Sequence, residues 1–167
     1  MVIQQPHNRP FAQYPRNVAR RAVAYMQETG IADEMIIGPE YEYHMFDALR
    51  YQVEPNRMGF ALESSEAAWS AGDPAPNSGF HCGAHGGYHI DQPFDLNFDI
   101  RNRTCLQLAK YGIDVKYHHH EVGGAGQMEI EVELGEMTRL ADDTMTIKYV
   151  IPVSYTHLRA HETSAHL

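Results

Sequence analysis

Apolar and polar positions along this chain change period several times, and each change marks an element. Val18, Ala22, Tyr25 and Met26 recur at helical spacing behind Pro15, which suits a first helical turn, so a helix is predicted that closes at Gly30. From about Met35 to Phe46 the period drops to two, with Glu40 and Glu42 facing one way and Tyr41 and Tyr43 the other. Pro39 cannot donate to a ladder and marks an edge or bulge in that strand. No single period runs from Asp47 to Asn77, and Ser70 to Gly79 reads as an exposed loop. Gly79 to Pro93 is Gly- and His-rich and non-helical. A helix is predicted from about Phe94 to Tyr111, with Ile100, Cys105, Leu108 and Ala109 as its apolar side and Gly112 as terminator. Ile113 to Glu121 and Gln127 to Leu134 read as strands joined by a Gly123-Gly124 bend. In the second, Glu129, Glu131 and Glu133 alternate with Met128, Ile130, Val132 and Leu134. Thr138 is the expected N-cap of a last helix carrying Leu140, Thr144, Ile147 and Ile151. The sum is an α+β (mixed α/β) domain, a largely antiparallel sheet flanked by helices.

Composition narrows the function classes. With 167 residues, 43% hydrophobic and 21% charged, the chain can bury one core as a soluble domain. A net charge of −9 argues against a nucleic-acid or anionic-membrane surface. No apolar run approaches bilayer length, and no basic-then-apolar leader opens the chain. Cys82 and Cys105 are expected as reduced thiols, which points to a cytoplasmic setting.

The chemistry is concentrated in two acidic segments, Gly38-Pro39-Glu40-Tyr41-Glu42 and His118-His119-His120-Glu121 through Gly126-Gln127-Met128-Glu129-Ile130. If both are strands of one sheet, Glu40, Glu42, Glu121 and Glu129 can converge, and that many hard oxygens favour Mg²⁺ or Mn²⁺, two ions rather than one. Glu131 and Glu133 are expected to be solvated or supporting. His81, His85 and His89 recur every four residues, but Gly86-Gly87 breaks the helix that would gather them around zinc.

These segments, with His85-Gly86-Gly87-Tyr88 and Met137-Thr138 through Ala141-Asp142 to Lys148-Tyr149, occur in order and spacing that resemble the bacterial type I glutamine synthetases. The resemblance runs from about Pro10 to Ile151 and implies an internal fragment of the catalytic domain, built on a curved antiparallel sheet. It implies one divalent ion on Glu42, Glu121 and Glu129 and a second on Glu40 with ligands beyond this chain. It further implies ATP as co-substrate, glutamate and ammonium as substrates, Tyr88 and Glu121 at the ammonium pocket, and a homo-oligomer of stacked rings. The family often carries an acidic residue for the nucleotide where Lys116 stands, so Lys116 is the ATP-side candidate. Tyr14 stands where an Asp usually precedes the Pro-Arg pair.

Residues 1–152 are therefore expected to be a partial catalytic domain, inactive alone because the remaining ligands and the nucleotide pocket lie elsewhere. Val153 to Leu167 resembles a translated sequencing adaptor and is expected to be a non-native tail. Two other readings remain open from the residues: a γ-glutamyl-amine ligase of the same superfamily, and a non-catalytic metal-binding β-module holding Fe²⁺ on His118 to His120.

Overall fold

The computed structural model describes residues 3–4, 9–70, 80–157 and 161–163. In chain order the elements are β1 (Ile3–Gln4), β2 (Arg9–Pro10), α1 (Pro15–Glu28), β3 (Ile36–Ile37), β4 (Glu40–Phe46), β5 (Ala48–Glu54), β6 (Arg57–Glu63), a 3₁₀ turn (Ala68–Ser70), α2 (Phe98–Lys110), β7 (Val115–His120), β8 (Gln127–Val132), β9 (Gly135–Glu136), α3 (Met137–His157) and β10 (His161–Thr163). They fall into two compact units, Met1–Pro39 with Glu133–Lys148, and Glu40–Val132 with Tyr149–Leu167. The mixed α and antiparallel β content matches the fold class expected from the sequence.

In the first unit β1 pairs with β2, and β3 pairs with β9 through Ile36–Glu136 and Ile37–Gly135. Helix α1 begins at Pro15 as expected, but it contains no buried residue. Of its predicted apolar stripe Val18, Ala22 and Tyr25 are exposed, Tyr25 at 65%, and Met26 is half-buried. Helix α3 corrects the expected cap. Thr138 does not cap it; the Glu136 carboxylate accepts the Thr138 and Arg139 amides at 2.9 Å each. Those two amides, in the same order, hold the Glu136 carboxyl below its usual range. Leu140 and Ile147 are buried, as their spacing predicted.

The second unit is built on the all-antiparallel sheet β10-β4-β8-β7. Glu42 lies opposite Glu129 and Tyr43 opposite Met128, while His119 lies opposite Glu129 and His120 opposite Met128. Because side chains alternate along a strand, Glu40, Glu42, Glu129, Glu131, Tyr117 and His119 share one face. Tyr41, Tyr43, Met128, Ile130, Val132, His118 and His120 share the other. That second face is the core side. Met128, Ile130 and Val132 are no more than 1% exposed, and Tyr43 is 2% exposed.

Helix α2 turns Arg101, Thr104, Cys105 and Leu108 inward. Two of the residues expected on its apolar side therefore change places with polar ones: Ala109 is exposed and Ile100 half-buried, while Arg101 is buried. The guanidinium is tolerated because every direction is answered. It pairs with Asp95 at 2.5 Å, donates to His118 Nδ1 at 2.9 Å, and lies 2.8 Å from Met128 Sδ. Burial and the Arg101 charge push His118 down to about 4, so it is a neutral acceptor.

Residues 48–63, which show no clear period, form the hairpin β5–β6, pairing Tyr51 with Phe60 and Val53 with Met58. Residues 71–79 of the expected Ser70 to Gly79 loop lie outside the described residues. At the other end α3 continues through His157, and Tyr155 is fully buried with its hydroxyl bonded to that of Tyr43.

Candidate metal centre

The acidic face becomes a site where β7 ends. Glu121 follows His120 immediately, and its amide donates to the Gln127 carbonyl at 2.8 Å, which holds the Glu121 side chain back over the sheet beside Glu129. Between them the chain reverses through Gly123 to Gly126. Gly126 has φ +77°, and a Cβ there would strike the Met45 carbonyl, so only glycine closes this bend. Its amide and carbonyl are both used, donating to Glu66 and accepting from Met45. Gln127 locks the bend further, since its side-chain oxygen accepts the Gly123 amide at 2.5 Å and its nitrogen donates to Glu42 at 2.9 Å.

His119, Glu121 and Glu129 each present a ligand atom, all within 4.8 Å of one another. Glu121 and Glu129 are buried, at 7% and 6% exposure. Burial, then hydrogen bonding with and the charge of Glu121, then the Glu40 and Glu42 charges, push Glu129 up to about 8. One Glu121 oxygen is buried with no hydrogen-bond partner among the described residues. A buried carboxylate oxygen that makes no hydrogen bond, 3.5 Å from His119 Nδ1 and beside a carboxylate that ionises only at a cost, suits a cation. The residues fit a hard divalent ion: oxygen donors dominate and the ring nitrogen is single.

The sequence-predicted residues fare differently. Glu121 and Glu129 come together, and Glu42 stands opposite Glu129 in the ladder with its carboxylate held by Gln127. Glu40 lies two residues along the same face and is exposed, opposite Glu131. Glu131 is engaged by Lys116 at 3.2 Å, so Lys116 sits on this face with its ammonium against a carboxylate and 4.8 Å from the Tyr117 ring. Tyr88 is 62% exposed, with its ring edge-on to His119 at 5.6 Å.

The three consecutive histidines do not gather around one point, as the Fe²⁺ β-module requires. His118 is taken by Arg101, and His120 is enclosed between Glu66 at 3.0 Å and the Glu121 carbonyl at 3.1 Å. Only His119 faces the carboxylates, with its Nδ1 3.0 Å from the His120 carbonyl and its Nε2 3.7 Å from Glu129. Nδ1 must carry a proton to meet a carbonyl, and Nε2 faces Glu129. Glu66 is the residue that the sequence did not single out, and His119 was named only together with His118 and His120. The alternation of β7 could have marked His119; nothing local marks Glu66.

The acidic face of this antiparallel sheet, with Glu129 buried, Glu131 half-buried and Glu40 and Glu42 exposed, is closed by a glycine bend that brings in the buried Glu121. A profile of the family "Glutamine synthetase, catalytic domain" matches residues 12–160, and the chain belongs to that family. It is 41% identical over 146 residues to a glutamine synthetase of Pasteurella multocida, covering 86% of this chain and 31% of that protein. It is 38% identical over 159 residues to a 3-hydroxylaminophenol mutase of Cupriavidus pinatubonensis, covering 93% of this chain and 34% of that one. The fold is that of a Plasmodium falciparum glutamine synthetase, with a TM-score of 0.83 at 22% identity over 96% of this chain and 32% of that chain. The chain thus spans about a third of the length of these relatives.

Proposed function

We propose that this chain is a partial catalytic domain of an ATP-dependent ligase that makes glutamine from glutamate and ammonia. The observation that carries the reading is the convergence of His119, Glu121 and Glu129, with Glu42 opposite Glu129 and one buried Glu121 oxygen making no hydrogen bond among the described residues. Glu42, Glu121 and Glu129 would hold one Mg²⁺ or Mn²⁺, and Glu40 would contribute to a second. Such ions, when bound, neutralise phosphate charge during phosphoryl transfer.

The γ-carboxylate of glutamate attacks the γ-phosphorus of ATP, releasing ADP and leaving γ-glutamyl phosphate. Ammonia then attacks the acyl carbon, phosphate departs, and one proton must leave nitrogen. Glu121 would attract ammonium and accept the proton whose loss turns it into the attacking ammonia, and the proton shed after the attack would leave with the departing phosphate. Tyr88, exposed beside His119, would line the ammonium pocket, and Lys116 would lie on the nucleotide side. The complete protein would be a cytoplasmic homo-oligomer of stacked rings; no helix among the described residues is long and apolar enough to cross a membrane. Residues 1–152 would be the native domain part and residues 153–167 an appended tail, which resequencing the source gene past Pro152 would decide.

The activity is tested by transplanting residues 12–152 into a bacterial glutamine synthetase in place of its own segment. The chimaera should release phosphate only with ATP, glutamate and ammonium together, and Glu129→Gln should abolish this. A correctly assembled but inactive chimaera, or an active Glu129→Gln chimaera, contradicts the proposal.

A further inference from the structure

Glu66 is 1% exposed, far from the acidic strands in sequence, and its carboxylate is saturated by donors from three separate segments. Oε2 accepts from His120 Nε2 at 3.0 Å and from the Gly126 amide at 2.9 Å. Oε1 accepts from the Leu96 amide at 3.2 Å and Asn97 Nδ2 at 3.1 Å. The two ring nitrogens of His120 face the Glu66 carboxylate and the Glu121 carbonyl, so these two contacts fix the orientation of the ring.

Glu66 therefore grips the residue before Glu121 and the last glycine of the bend that returns the chain to Glu129. Its own backbone is fixed independently. The Cys82 amide donates to the Glu66 carbonyl at 2.7 Å, and Ala67 bridges Cys82 within a small cluster with Ala125. Gly87 also packs so closely that a Cβ there would strike the His120 ring and the Glu121 carbonyl. The His120 ring is thus held by Glu66 and closely approached by Gly87.

We propose that Glu66 is a positioning residue that sets the Glu121 carboxylate and the Gly123–Gly126 bend for divalent-cation binding. The inference rests on the metal reading above, and it assigns to a buried glutamate outside the acidic strands the orientation of a ligand that it does not itself contact. Partners of this kind typically alter metal affinity by about 10- to 100-fold.

The test is Mn²⁺ titration of the 167-residue chain, followed by electron paramagnetic resonance, on wild type, Glu66→Gln, Asn97→Ala and Tyr155→Phe, with melting curves for each. A carboxamide cannot accept four donors, so Glu66→Gln should weaken Mn²⁺ binding about 10-fold or more while the chain remains folded. Asn97→Ala removes one donor and should weaken it roughly two- to fivefold. Tyr155→Phe, remote from the acidic face, should lower the melting temperature and leave Mn²⁺ affinity unchanged, which separates positioning from general destabilisation. Folded Glu66→Gln with wild-type Mn²⁺ affinity overturns the proposal; should Glu66→Gln not fold, wild-type affinity in Asn97→Ala overturns it. If the wild-type chain shows no saturable Mn²⁺ binding, the metal reading itself falls and takes this one with it.

Discussion

Replacing Glu129 by Gln should stabilise the metal-free chain, and increasingly so as pH rises. Glu129 is buried beside Glu121, with ligand atoms no more than 4.8 Å apart. Two carboxylate charges at that range repel by roughly 3 kcal/mol at an effective dielectric of about 20. The folded state holds the Glu129 proton up to about 8, against an ordinary 4.5. Below pH 4.5 the residue is protonated folded or unfolded, and it contributes nothing. Between pH 4.5 and about 8 the folded chain binds the proton more tightly, so its stability falls as pH rises; above that the full cost of a buried carboxylate remains. Gln carries no charge at any of these values. The advantage of Glu129→Gln should therefore be small at pH 5 and on the order of 2–3 kcal/mol at pH 8.5. For a chain of this size that is about 4–10 °C in melting temperature. The assay is a pair of thermal melts in EDTA at each pH. In Mn²⁺ the order should reverse, because only wild type gains from binding. An advantage that does not grow with pH refutes the crowding of these carboxylates. Equal stabilisation of both proteins by Mn²⁺ refutes Glu129 as a ligand.

Three further outcomes follow from the packing. Asp95→Ala leaves the Arg101 guanidinium buried without its partner and should cost roughly 3–5 kcal/mol in urea denaturation, whereas a cost under about 1 kcal/mol would mean Arg101 finds solvent. Glu136→Ala removes the acceptor for two amides at the start of α3 and should cost about 1 kcal/mol, while Thr138→Ala should be close to neutral; the reverse ranking would restore Thr138 as the cap. Tyr155→Ala should cost roughly 3–5 kcal/mol because the ring is fully buried against Tyr43. A neutral result would mean that residues beyond Pro152 do not pack on the sheet.

How far the sequence carried depended on whether a signal was local. The alternation around Glu40–Tyr43 and Met128–Val132 placed β4 and β8 and correctly divided their faces, because one side meets the core and the other does not. Glu121 with Glu129 was legible because a glycine bend between two strands can only fold back. The hairpin of residues 48–63 escaped because its apolar side chains, Tyr51, Val53, Met58 and Phe60 among them, stay exposed and impose no burial pattern. Arg101 was hidden because its burial depends on Asp95 and His118, contributed by the loop before α2 and by β7. Glu66 was unreadable for the same reason: its four partners come from segments 30 to 60 residues away. Local patterning marked the carboxylates, while the contacts that hold them come from distant segments.

Whether Glu121 and Glu129 form a divalent-cation site is decided by Mn²⁺ titration of wild type against Glu121→Gln at pH 7.5, followed by the loss of the free-ion resonance. Saturable binding in wild type that disappears in a folded Glu121→Gln chain is the predicted result. Binding that is absent from wild type, or equally strong in both, would contradict it.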